Sequence, residues 1–110
     1  MTDDLPHLNE ELSLVQRLHS ETALISWHEL QRFFAQGVVL HVSEALNLVE
    51  TAVLLAEDQV DKISELLDIG TVSHPSNDQA RAWYEADATL WSVVVAPYIL
   101  VQEQKPNTAH

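Results

Sequence analysis

Two residues with acid–base side chains fall among apolar neighbours, where they could serve a ligand pocket or an active site. Asp87 lies four residues after Trp83 and four before Trp91, so a continuous helix would place it on an aromatic stripe. An acid in that position must be hydrogen-bonded, paired or close to water. A structural hydrogen bond is the first interpretation. The alternative is a polar anchor in a ligand pocket lined by Trp27, Trp83 and Trp91.

His41 is the second such residue. In a strand that turns Val38, Leu40 and Val42 to one face, His41 points to the other face beside Val39. A hydrogen-bonded or solvent-facing histidine is again the first interpretation. The alternative is a pocket group close to Asp87, which requires the fold to bring two distant segments together.

Other catalytic or metal-binding patterns fail on their spacing. His28-Glu29 resembles the start of a zinc-protease helix, but Arg32 occupies the place of the second histidine. Gly37 and Gly70 are better explained as helix ends than as a phosphate loop. The chain has no cysteine, and no serine lies in a nucleophile elbow. We therefore predict no catalytic residue, no metal site and no cofactor.

The carboxylates outnumber the basic residues by 17 to 5, which gives a net charge of −12. This charge disfavours binding to nucleic acids and to anionic membranes. Asp61, Glu65 and Asp68 share one face of a predicted helix, with Asp58 just before it. A solvated face is the first interpretation, and a basic protein partner is the alternative.

The elements that must position these groups begin with a predicted amphipathic helix at residues 8–23. Ser26 and Glu29 form a capping box for a second helix at 27–36, and residues 38–42 form a strand. Residues 47–56 fit both strand alternation and helical spacing. We choose helix there, because Asn47 and Glu50 repeat the capping pattern.

The second half of the chain also contains predicted helices and strands. Asp58 is predicted to cap a helix that ends at Gly70, with Val60, Ile63, Leu66 and Leu67 on its inner face, and 71–73 is a short strand. Ser76 and Gln79 cap a further helix that extends to about Ala88. Residues 92–102 are apolar on both faces and form the main strand, where Pro97 requires a bulge or an edge. The prediction is an α+β fold: a small sheet built on strands 92–102 and 38–42, packed against four or five helices.

Several segments together resemble a family of short bacterial proteins catalogued as a domain of unknown function, number 2288. The resemblance covers about residues 20–103. It rests on Glu21-Thr22-Ala23, Trp27, Glu29-Leu30, Phe33-Phe34-Ala35, Gly37, Ala56-Glu57-Asp58, Trp83 and Trp91-Ser92-Val93-Val94-Val95-Ala96-Pro97-Tyr98-Ile99-Leu100-Val101-Gln102. Tyr98 stands where the family pattern leads us to expect tryptophan. The resemblance implies a bacterial, cytoplasmic, stand-alone domain, and it transfers no catalytic or binding residue.

The sequence thus predicts one soluble domain over residues 1–110, with an ordered core at about 8–103 and polar, frayed ends. No apolar run approaches the roughly 20 residues that a membrane span needs, and the N-terminus lacks the pattern of an export signal. The expected function is a non-enzymatic interaction or scaffold domain, with self-association as a further expectation. A small-ligand or enzymatic pocket using Asp87 and His41 is the alternative.

Overall fold

A computed structural model describes residues 6–104, and the side chains of residues 14–104. This part of the chain contains five helices and five strands. In chain order these are α1 (Pro6–Glu21), β1 (Ala23–Ser26), α2 (Trp27–Ala35), β2 (Val39–Val42), α3 (Leu48–Ala56), α4 (Val60–Ile69), β3 (Val72–Ser73), α5 (Asn77–Glu85), β4 (Thr89–Val95) and β5 (Tyr98–Glu103). None of the helices in 6–104 is long and apolar enough to cross a membrane.

The strands form one mixed sheet in the order β1-β4-β5-β2-β3. β2 runs parallel to β5, and every other neighbouring pair is antiparallel. The predicted α+β class is therefore confirmed.

The main strand was predicted as one element over 92–102, and that prediction is wrong. β4 and β5 are two arms of a hairpin, in which Val95 opposes Tyr98 across a turn at the cis Ala96–Pro97 bond. Pro97 lies in this turn, where its missing N–H disturbs no ladder. The pattern of apolar and polar residues along 92–102 could not reveal the turn, because both arms of the hairpin are apolar on both faces.

The hairpin is apolar on both faces because helices cover both. On one face α1 and α3 enclose a first core, formed by Leu18, Leu40, Val42, Leu48, Ala52, Val72, Val93 and Leu100. On the other face α2 and α5 enclose a second core, formed by Trp27, Leu30, Val39, Ala80, Trp83, Leu90, Ile99 and Val101. Adjacent residues of β4 and β5 thus supply two separate cores.

Three of the predicted helix starts are confirmed by their caps. The Ser26 hydroxyl accepts the N–H of His28 at 3.1 Å, and the Ser76 hydroxyl accepts that of Gln79 at 3.0 Å. The Asn47 side chain accepts the N–H of Glu50 at 2.9 Å, and residues 48–56 are helical rather than extended. Each bond satisfies a backbone donor at a helix start, where no intrahelical acceptor exists.

Other boundaries differ from the predictions. The first helix begins at Pro6, inside the segment predicted to be frayed, and it ends at Glu21 so that the unpredicted strand β1 can follow. Asp58 does not cap α4: its φ is 60°, and Gln59 holds the cap position without a side-chain bond. The remaining termini, 1–5 and 105–110, lie outside the described residues.

The inner face predicted for α4 is also wrong in part. Leu66 packs against the first core, but Val60 is 60% exposed and Leu67 43% exposed. No residue of α4 is buried, because its main contact with the sheet is at the two-residue strand β3. It is the least enclosed helix within 14–104.

We predict that stability depends on the hairpin residues that fill the two cores. Leu100→Ala should lower the free energy of unfolding by about 3 kcal/mol, because Leu100 is 1% exposed and its loss leaves a cavity. Ile69→Ala is the control at an apolar residue that is 71% exposed, and should change stability by less than about 0.5 kcal/mol. Urea denaturation measures both values, and equal effects would contradict the core assignment.

Candidate functional site

The three tryptophans have different environments. Trp27 is 1% exposed and Trp83 is 5% exposed, and their ring centroids lie 5.0 Å apart in the second core. Trp91 is 39% exposed. Trp27 and Trp83 therefore contribute mainly to packing, whereas Trp91 presents a large part of its ring to the surface.

The helical stripe predicted through Trp83, Asp87 and Trp91 does not exist. α5 ends at Glu85, and Asp87 has a φ of 52° in the turn before β4. Its side chain is 83% exposed, and Oδ1 lies 3.4 Å from Nε2 of His28. The His28 ring stacks on Tyr84 with centroids 4.6 Å apart. Sequence reasoning missed this surface cluster, because its members come from the start of α2 and the end of α5.

His41 has a different carboxylate partner. Its Nε2 lies 3.3 Å from Oε1 of Glu103, and its ring centroid lies 5.6 Å from that of Trp83. The indole N–H of Trp83 donates to Oε2 of Glu103 at 3.2 Å. Both carboxylate oxygens are therefore engaged, and we call His41, Trp83 and Glu103 the Glu103 network.

Asp87 and His41 thus have separate partners and share no hydrogen bond. Asp87 does line an open groove of about 380 Å³ together with Trp83 and Glu103. His41 does not line this groove, but it contacts two residues that do, Glu103 and Trp83. Glu103 was not singled out from the sequence, although extending the alternation of Ile99 and Val101 by two residues would have reached it.

The exposed Trp91 belongs to an apolar patch at the edge of the sheet. Trp91 opposes Leu24 in the pairing of β4 with β1, and Leu24 is 46% exposed. The two residues form a pair without mutual backbone hydrogen bonds, the arrangement that brings opposing side chains closest. We call Leu24 and Trp91 the edge patch.

A groove of about 510 Å³ adjoins the edge patch. It lies between the C-terminal half of α1 and the start of α3, and Val15, His19, Leu48, Val49, Trp91 and Gln102 are among its lining residues. Gln102, opposite Trp91 on β5, donates from Nε2 to the carbonyls of Ser43 and Leu46, each at 2.9 Å. These bonds tie the loop before α3 to the sheet, so that the floor of the groove is built on fixed elements.

The acidic residues singled out from the sequence all face solvent. Asp58, Asp61, Glu65 and Asp68 are exposed along α4 and the turn before it. Among the described residues, no group of three or more histidine, aspartate or glutamate side chains is arranged to hold a metal ion.

Comparison with known proteins confirms the resemblance seen in the sequence. The family model described as protein of unknown function (DUF2288) matches residues 13–103, and the chain belongs to this family. The chain is similar to PA1075 from Pseudomonas aeruginosa, solved as an NMR solution structure: the TM-score is 0.75 at 46% identity, over 89% of this chain and 92% of that one. The curated proteins contain no match.

We predict that Glu103 fixes the environment of the Trp83 indole. Glu103→Ala should shift the Trp83 indole N–H signal in a ¹H–¹⁵N spectrum and leave that of Trp91 in place. It should lower the free energy of unfolding by roughly 1–2 kcal/mol, because it removes the two hydrogen bonds to His41 and Trp83. Glu44→Ala, in an exposed turn, is the control. An unmoved Trp83 signal would contradict the network.

Proposed function

We propose that this chain is a non-enzymatic interaction domain that binds a protein partner through the edge patch. The carrying observation is the 39% exposure of Trp91 beside Leu24, while the other two tryptophans are buried. Tryptophan is enriched among residues that dominate binding energy, and such residues act where the partner excludes water around them. The groove of about 510 Å³, which Trp91 lines, offers space for partner side chains beside the ring.

The surroundings of the patch support a contact with protein rather than with a small polar ligand. Leu24 lies on β1, the edge strand of the sheet. The outward backbone groups of this strand therefore lie beside the patch. Strand edges bind extended segments through main-chain hydrogen bonds, and neighbouring side-chain pockets add selectivity. The two parts together offer a surface suited to a polypeptide.

The experiment places a photo-crosslinking amino acid at position 24, 91 or 69 in cells of the source organism. Positions 24 and 91 should yield a discrete protein adduct. Ile69 is the matched control, since it is apolar and 71% exposed but lies on α4. Equal crosslinking at all three positions, or none at 24 and 91, would refute the proposal.

A second candidate is a small-ligand site that uses Asp87, with His41 acting through Glu103 and with Trp83 as the aromatic wall. Asp87 and Glu103 line the same groove, and Glu103 is oriented by two hydrogen bonds. Two carboxylates beside an indole suit a small organic cation.

This second candidate predicts that tetramethylammonium shifts the Trp83 indole N–H signal at constant ionic strength. Asp87→Asn should weaken the titration several-fold, because it removes one charge from the groove. Glu85→Gln, which removes the same charge at the end of α5, is the control. Equal shifts from sodium chloride would rule this site out.

The proposal also includes a cellular location and a role for the acidic surface. The bacterial origin of the similar structure supports a bacterial, cytoplasmic domain, and the absence of cysteine is typical of a reducing compartment. A basic protein partner at Asp58, Asp61, Glu65 and Asp68 stays a prediction. The exposure of these residues supports it no more than it supports a solvated face.

A further inference from the structure

We propose that the partner at the edge patch is a second copy of this chain, joined by antiparallel pairing of β1 with β1. This inference rests on the proposed function and names the partner at the same surface. The hydrogen-bonding pattern of β1, the side chains along it and the charge of the chain support this pairing.

The pattern of the β1–β4 ladder shows which backbone groups point outward. The N–H of Trp27 donates to the carbonyl of Ala88 at 2.8 Å, and this pair extends the register of β1 with β4 by one residue. In an antiparallel ladder the bonded pairs alternate, so Ile25 and Ala23 also face β4. Leu24 and Ser26 therefore turn their N–H and C=O groups away from the sheet.

The outward groups of β1 lie beside no further strand in residues 6–104, since β1 ends the sheet. Natural proteins usually protect such an edge by keeping the strand short, or with a charged side chain, a proline or a bulge. The segment Thr22–Trp27 contains no charged residue and no proline, and its register with β4 is continuous. The four-residue length of β1 is the one such protection among these, and the outward N–H and C=O groups are therefore available to another strand.

The symmetry of a two-chain pairing selects one register. A twofold axis perpendicular to the sheet keeps each residue on its own face, so a residue can oppose only residues of the same parity. With Leu24 opposite its own counterpart, each Leu24 exchanges hydrogen bonds with the other, and Ser26 N–H donates to the carbonyl of Thr22. This register provides about four intermolecular hydrogen bonds.

The same register joins the two edge patches. Leu24 and Trp91 lie on one face of the sheet. Leu24 would meet its counterpart at the axis, and a Trp91 would lie at each end, to give a row of four apolar side chains. Half-exposed Leu24, opposite itself, would lose most of its contact with water. The strand has only four residues, so the interface is small, and a weak dimer that forms at high concentration is expected.

Charge favours a second copy over a basic partner at this surface. The net charge is −12, but the acidic face singled out from the sequence lies on α4, and none of the charge lies on Thr22–Trp27. A basic partner would find no carboxylate on Thr22–Trp27 itself; Glu21 precedes this segment, and Glu50 lines the adjoining groove. Two copies carry their charges outside the paired strands, and salt screens the repulsion between them. Added salt should therefore strengthen the dimer, whereas it would weaken a complex with a basic protein.

The experiment measures the mass of the purified chain by light scattering over a dilution series, at low and moderate salt. The mass should rise from 12.4 kDa toward twice that value with concentration, and more readily in salt. Leu24→Lys should abolish the rise, because two like charges then meet at the axis. Ile69→Lys makes the same change in net charge at an exposed residue of α4. This control should still show the rise in mass with concentration.

A mixture of two variants tests the register. It also shows whether a variant lost the dimer because of its charge or because it misfolded. Leu24→Lys and Leu24→Glu chains should each remain monomeric, and should regain the dimer when mixed, because opposite charges then face each other. A dimer that persists in Leu24→Lys, or no recovery in the mixture of folded chains, would overturn the proposed pairing. A monomeric wild type with crosslinks at position 24 to another protein would overturn it too, while leaving the proposed function intact.

Discussion

The pairing of β4 with β5 is the constraint on which the rest of this structure depends. Because both arms are apolar on both faces, neither face of the hairpin can be left in water. Val93 and Leu100 require α1 and α3 on one side, while Leu90, Ile99 and Val101 require α2 and α5 on the other. The order of elements along the chain supplies one helix pair to each face, and the hairpin occupies the middle of the sheet as a result.

The surface that we propose for binding follows from the same arrangement. A sheet whose two faces are covered by helices exposes only its edges, here β3 and β1. β3 has two residues, and α4 packs against it. β1 is longer, and its partner strand β4 carries Trp91, which α1 covers only in part. The edge patch is thus one place where apolar residues of the hairpin reach the surface, and we propose that a second strand there gains both hydrogen bonds and apolar contact.

Local signals predicted the helices better than they predicted the sheet. Ser26, Asn47 and Ser76 marked helix starts, because a cap depends only on residues within one turn. β1 was not predicted. Its four residues lie between two helices, and so short a pattern of apolar and polar residues does not distinguish a strand from the end of a helix. The side-chain contacts of the candidate sites were harder to predict than the strands. His28 with Asp87, and His41 with Glu103, are joined by strand order and helix packing, and no spacing in the chain encodes those distances.

The most direct test of the account is hydrogen exchange of the β1 backbone amides at low and high protein concentration. Ile25 and Trp27 donate within the sheet, so their exchange should be slow at both concentrations. Leu24 and Ser26 should exchange quickly in dilute solution and become protected as the chain is concentrated. Exchange at Leu24 and Ser26 that does not depend on concentration would contradict strand pairing between copies.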